Sequence, residues 1–320
     1  MTIEEQIKSS VWGAVLGDAL GVPVESSTRA ELALCSVKNM LGFGRYDQPR
    51  GTWSDDSAMV LCTMESLCKG YNLEDMARTF CSWMFEGQWT ATGFVFDAGI
   101  TTLTALESIH RGERCARDSG AATEDDNGNG SLMRILPAAL YFADEEISTF
   151  LNHIHEVSAI THAHPRAMVG CGIYALLVRR LLEEPVKEAA YQSAVRDAQQ
   201  YYGRDKRFGP ELKHYLRILS GTITSLEERE IETTGYVVHT LEAATWSFLH
   251  HDTTAGILLQ AVNLGLETDT TGTVAGGLAG LTYGLEGVPR DWLDSLARGE
   301  DIAKLIEQFA AVSLNRRMKV

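Results

Sequence analysis

Glycine returns at every fourth position in two distant stretches of the chain. Gly13, Gly17 and Gly21 form one row, and Gly272, Gly276, Gly280 and Gly284 form the other. A spacing of four places such residues on one face of a helix. Each glycine in a helix interior costs about 1 kcal/mol relative to alanine, so two rows call for a compensating contact. The contact that glycine alone permits is the approach of two helix backbones with no side chain between them. The threonines and short length of the second stretch argue against a membrane-embedded pair. The rows therefore predict close backbone contact within a water-soluble core.

Elsewhere the apolar residues recur at spacings of three and four. In "DDSAMVLCTMESLCKG" the pattern falls on Val60, Met64, Leu67 and Cys68, and it returns in "AMVGCGIYALLVRRLLEE", "TTAGILLQAVNLG" and "DIAKLIEQFAAVSL". Alternation with a period of two is short and isolated. The expected fold is all-α, about a dozen helices in one compact domain, with no Pro/Ser linker to divide residues 1–320. The polar, Gly-rich stretch 111–131 is too long for a simple turn, and loops of that length in compact domains often carry function. The charged stretch 183–230 reads as a helical insertion with a solvated face.

The formal charge of −15 excludes a general phosphate-backbone binder and suits a protein that holds divalent cations. The first residues carry two acids and no basic segment ahead of their apolar part, unlike a signal peptide. No run approaches the roughly 18 apolar residues of a membrane span. The six cysteines contain no CxxC pair and read as reduced thiols, so a cytoplasmic location is expected.

Two anionic knots stand out. "GTWSDDSAMV" places Ser54, Asp55 and Asp56 at the expected start of a helix, and "GLETDTTGT" places Glu267, Asp269 and Thr270 at the start of another. Each knot by itself serves as a helix cap. Hydroxyl and carboxylate oxygens are also the ligands that hard divalent cations take. If residues 267–269 are extended, Glu267 and Asp269 point the same way. Converging knots without lysine or arginine would repel one another unless cations stood between them. Capping and ligation both remain open at this level.

Six segments in order, "GAVLGDALGVPVE", "GTWSDDSAM", "FDAG", "GNGSLMRILP", "THAHP" and "ETDTTGTVAGGLAGLTYG", resemble the ADP-ribosylglycohydrolase family. The resemblance spans most of the chain. It implies an all-α fold and a binuclear Mg2+ or Mn2+ centre at the base of a cleft. Ser54, Asp55 and Asp56 would ligate one metal and Glu267, Asp269 and Thr270 the other, with Asp269 bridging. Glu25 resembles a glutamate on a mobile segment over the cleft, a base or gate, and Asp56 belongs with it in the catalytic set. Asp97 and His162 resemble residues near the substrate. Asn129, Gly130, Ser131 and Met133 lie in a turn whose N–H groups could cradle a diphosphate at a helix N-terminus. Arg134 would pair with phosphate or with an acid in the core, and Asp18 reads as a buried support residue.

One departure stands at the second knot. The family pattern Gly-Asp-Thr-Asp-Thr is replaced by Leu266-Glu267-Thr268-Asp269-Thr270, which lengthens one ligand and removes a glycine that tolerates special backbone angles. Mn2+, with its more forgiving geometry, suits the longer ligand. The expected activity is metal-dependent removal of ADP-ribose from a modified protein side chain, arginine first and serine second. Small ADP-ribosyl compounds such as O-acetyl-ADP-ribose are the alternative substrates, and non-catalytic ADP-ribose binding is the alternative role. No membrane or general nucleic-acid partner is expected, and the sequence gives no oligomeric state.

Overall fold

A computed structural model describes residues 1–318. Among them the backbone forms fifteen α-helices and no strands, with three isolated bridges. In chain order these are α1 (Ile3–Gly21), α2 (Arg29–Leu34), α3 (Asp55–Cys68), α4 (Leu73–Glu86), α5 (Ile100–His110) and α6 (Leu136–Tyr141). There follow α7 (Ile147–Ala159), α8 (Pro165–Glu183), α9 (Lys187–Tyr202), α10 (Leu216–Leu219) and α11 (Val237–His250). The last four are α12 (Thr254–Asn263), α13 (Thr268–Tyr283), α14 (Arg290–Ser295) and α15 (Gly299–Arg317). The all-α expectation holds, in a single compact domain. No described helix is long and apolar enough to cross a membrane.

The two glycine rows meet. α1 and α13 form the most extensive helix pair of the fold. A methyl group on Gly17 would lie 2.0 Å from the Gly272 carbonyl oxygen, and one on Gly13 would lie 2.2 Å from that of Gly276. Gly21 carries the contact to the start of α13, where a Cβ would sit 2.3 Å from Asp269 Cα. Gly284 does not belong to the contact: it ends α13 at φ 67° and faces Met1.

The pair is buried on its other faces too. α13 packs on α11 and α12, while α3 and α15 close the far side of α1. The 183–230 stretch holds α9, α10 and short 3-10 turns. Tyr202 and Tyr215 from this stretch are fully buried, and the Tyr215 hydroxyl donates to the Arg166 carbonyl at 2.7 Å. The 111–131 stretch has no helix and is held by bonds to several segments. Ala121 exchanges main-chain bonds with Thr161 and Ala163, and Asn129 N–H donates to the Gly235 carbonyl. These bonds bring the glycine-rich turn beside the start of α13.

The glycine contact predicts a clear stability difference. Gly17→Ala must separate two backbones, and we expect a loss of about 2–3 kcal/mol, a Tm fall on the order of 3–5 °C. Gly299→Ala, where a Cβ meets nothing within 4 Å, should leave Tm unchanged. Equal melting of the two variants by calorimetry would refute the assignment.

Candidate active site

α3 begins as its sequence dictates. Ser54 is the N-cap, and its hydroxyl accepts from Asp56 N–H at 3.2 Å. Asp18, the residue after Gly17, lies beneath this helix start. Its carboxylate accepts from Ser54 N–H at 3.0 Å and from Ser57 N–H at 2.8 Å. Asp18 is fully buried, which makes it the support residue expected of it. Burial pushes its pKa up to about 6, against the hydrogen bonds from Ser57 and Ser54.

The second knot differs locally from its expected form. Residues 267–269 are not extended: Glu267 is the N-cap and α13 starts at Thr268. Tertiary contact decides this, because Gly21 lets the first turn of α13 press against α1 while the Thr268 hydroxyl donates to the Gly21 carbonyl at 2.8 Å. Leu266, at φ 60°, takes the left-handed angle that a glycine would adopt without strain. Its N–H and C=O bond to Ser27 and Ser26 at 2.7 and 2.8 Å, which ties the Glu25 segment to the second knot.

The knots converge. Asp56 Oδ2 accepts from the Ser54 hydroxyl at 3.2 Å and from the Thr270 hydroxyl at 3.3 Å. Asp269 Oδ1 accepts from Thr270 N–H at 2.8 Å. Each acid thus spends one oxygen on a helix start. The other oxygen, Asp56 Oδ1 or Asp269 Oδ2, is buried without a partner, as is Glu25 Oε2. Oxygens of Glu25, Asp97 and Asp269 lie within 4.8 Å of one another. Glu267 instead accepts from Asn129 Nδ2 at 3.0 Å.

Glu25, Asp55, Asp56, Asp97 and Glu267 line a cleft of about 290 Å³ that no lysine or arginine lines, with Asp269 buried beside Glu25 and Asp97. Burial, then the neighbouring carboxylates, pushes Asp55, Asp56 and Asp269 well above the usual carboxylate range. Glu25 rises from its ordinary 4.5 to about 7 through burial and the charges of Asp97 and Glu267. Burial raises Glu267 as well, against its bond from Asn129. Orphaned carboxylate oxygens gathered at two helix N-termini form a donor set for hard cations.

The opposite wall comes from the turn and from His162. Asn129, Gly130, Met133 and His162 border the cleft. Ser131 does not: its hydroxyl lies 2.9 Å from the Ser158 hydroxyl and 3.3 Å from the Cys171 thiol, inside the core. The turn also falls short of a helix N-terminus, since α6 starts only at Leu136 and the Leu132 and Met133 N–H groups bond to Asn129 C=O. Asp97, at φ 56°, reaches the cleft and does not cap α5, whose N-cap is Gly99. Arg134 pairs with neither an acid nor the cleft; it is fully buried beneath the turn. Tyr46, whose phenol lies beside Glu25 and Asp97, belongs to no motif, and only the folded chain brings it in.

Comparison with known proteins agrees with this fold. A family model described as ADP-ribosylglycohydrolase matches residues 1–318. An ADP-ribosylarginine hydrolase Tri1 of Serratia proteamaculans (strain 568) is 29% identical over 307 residues, 95% of this chain and 79% of that protein. An ADP-ribosyl-[dinitrogen reductase] glycohydrolase of Rhodospirillum rubrum is 29% identical, covering 92% of this chain and 91% of that protein. A solved structure described as an ADP-ribosylglycohydrolase-related protein complex superposes with a TM-score of 0.80 at 29% identity, over 97% of this chain and 99% of that one.

The raised acids set a pH dependence. A carboxyl with a folded pKa above its unfolded value stabilises fully at low pH, and that contribution is lost as pH rises through the folded pKa. For Asp18 and Glu25 the loss runs from their ordinary 3.8 and 4.5 up to about 6 and 7. In cation-free buffer at neutral pH, Asp56→Asn should therefore gain about 0.5–2 kcal/mol over the native protein. A lower Tm for Asp56→Asn under those conditions would show that the cluster is not repulsive.

Proposed function

The chain belongs to the ADP-ribosylglycohydrolase family, and we propose that it removes ADP-ribose from a modified protein arginine by hydrolysing the C1''–N bond in a divalent-cation-dependent reaction. The observation that carries this reading is the set of three unpartnered carboxylate oxygens, on Glu25, Asp56 and Asp269, buried at and beside a cleft that no lysine or arginine lines. Such a set is stable when ionised only against positive charge. The arginine linkage is supported by the Serratia relative's name and by an acidic cleft that suits a cationic guanidinium.

Ser54, Asp55 and Asp56 would hold one Mg2+ or Mn2+, and Glu267, Asp269 and Thr270 the other. Asp269 would bridge the two, and oxygens of Glu25 and Asp97 lie within 4.8 Å of one of its own. When bound, the cations anchor and polarise the sugar's hydroxyl oxygens. Glu25 Oε2 takes a proton from the water that attacks C1''. The C1''–N bond breaks through an oxocarbenium-like transition state, and the departing guanidine nitrogen takes up the proton. With its pKa held near 7 by burial, Glu25 is poised for this transfer at neutral pH. Asn129 orients Glu267 through their bond at 3.0 Å, and the Gly130 turn with His162 borders the bound ADP-ribosyl group.

The test is ADP-ribose release from an arginine-ADP-ribosylated protein with Mg2+, Mn2+ or EDTA, beside a serine-linked substrate and O-acetyl-ADP-ribose. Release from the arginine substrate alone, abolished by EDTA, is expected. Asp56→Ala and Asp269→Ala should cut the rate on the order of 10³-fold or more while circular dichroism stays native. Turnover of only the serine-linked or small substrate would move the reading to that linkage. EDTA-resistant turnover, or full activity in both variants, would refute the cation dependence.

A further inference from the structure

Arg134 lacks what a buried arginine usually has. It is fully buried, and no acid pairs with it among the described residues. Its guanidinium lies over the Phe80 ring, 5.0 Å from the centroid. One terminal nitrogen donates to the Gly130 carbonyl at 2.6 Å. The other donates to the Thr161 hydroxyl at 2.8 Å and to the Val157 carbonyl at 3.3 Å. One cation thereby joins the two segments of the cleft wall, the 128–133 turn and the loop that carries His162.

The bonds beyond it fix where protons sit. A guanidinium can only donate, so the Thr161 oxygen accepts from Arg134. Thr161 is fully buried, and its hydroxyl meets one other polar atom, His162 Nδ1, at 2.7 Å. Were Nδ1 to carry the proton, the Thr161 hydroxyl hydrogen would be left without an acceptor inside the protein, a rare arrangement for a buried donor. Thr161 therefore donates to Nδ1, and the ring's own N–H is at Nε2. Burial and the Arg134 charge hold the His162 pKa down to about 3, so the ring is neutral. The ring is kept in place from behind, since His162 N–H donates to the Ser158 carbonyl at 2.9 Å and the Ser158 hydroxyl donates to the His162 carbonyl at 3.0 Å.

Nε2 has no protein partner among the described residues, and the ring borders the cleft. Glycine keeps that edge open: a Cβ on Gly130 would lie 2.9 Å from Cε1 and 3.4 Å from Nε2. We infer that Arg134 is a positioning residue which, through Thr161, locks His162 in its Nε2–H form, so that the wall facing the carboxylates offers a neutral donor to an acceptor oxygen of the bound ADP-ribosyl group. The ligand half of this inference rests on the proposed function. The relay itself does not.

The test uses the full chain labelled with 15N-histidine, read by long-range 1H–15N correlation at neutral pH without ligand, with His162→Gln to assign the signal. The native protein should show His162 protonated at Nε2 and unprotonated at Nδ1. Thr161→Val keeps the shape and deletes the relay; it should mix the tautomers and weaken ADP-ribose binding about three- to tenfold by calorimetry, with Mn2+ binding unchanged. Thr161→Ser, which keeps the hydroxyl, should restore both. A proton on Nδ1 in the native protein, or an unaltered tautomer and unaltered affinity in Thr161→Val, would overturn the inference. A locked Nε2–H in a protein that does not bind ADP-ribose would count against the functional reading and leave the relay standing.

Discussion

Backbone contact between α1 and α13 is the constraint on which the rest of the site depends. Gly17 and Gly272 bring the two helices to a separation that no side chain would allow. The next residue, Asp18, turns from that contact to accept the first N–H groups of α3. At the end of the same helix, Gly21 receives the first turn of α13. α1 therefore sets the register of both helix starts that carry the carboxylates. A shift of α1 would move Asp56 and Asp269 relative to one another, although neither belongs to it. The cost of placing glycine in helices is offset at the site, where two separate chain segments must agree closely in position.

That agreement produces a cleft in electrostatic tension. Two helix N-termini supply partial positive charge, and the Ser54 and Thr270 hydroxyls satisfy one oxygen of Asp56. Asp56 Oδ1, Asp269 Oδ2 and Glu25 Oε2 have no partner, and burial penalises every ionised form. Stability is given up where a ligand of opposite charge is to be held, a common trade at functional sites. Leu266 adds to it with a left-handed backbone angle anchored by main-chain bonds to Ser26 and Ser27.

The parts legible in the sequence were those written in local pattern. Glycine rows announced the helix pair, and Ser54-Asp55-Asp56 announced a capped helix, because both depend on spacing along one segment. The extended reading of 267–269 was overturned by a contact with Gly21, from the opposite end of the chain. Ser131 sits in a recognisable turn, yet the direction of its side chain follows from Ser158 and Cys171. Arg134 offered two partners to a sequence reader, phosphate or acid, and takes neither. Tyr46 had no signal at all. In each case the deciding atoms belong to segments far away in the chain, and periodicity carries no information about them.

The place of Arg134 follows from the same electrostatics. An arginine projecting into this cleft would pair with Asp56 or Glu25, which line it, or with Asp269 beside them. It would neutralise the donor set and occupy the space that a cation or sugar needs. Withdrawn beneath the Gly130 turn, the guanidinium instead organises the wall through a carbonyl and a hydroxyl. What it contributes to the cleft wall is the orientation of a neutral imidazole. Donor capacity is thereby separated from positive charge: one side of the cleft keeps its demand for cations, and the other presents hydrogen-bond donors that cannot satisfy that demand themselves.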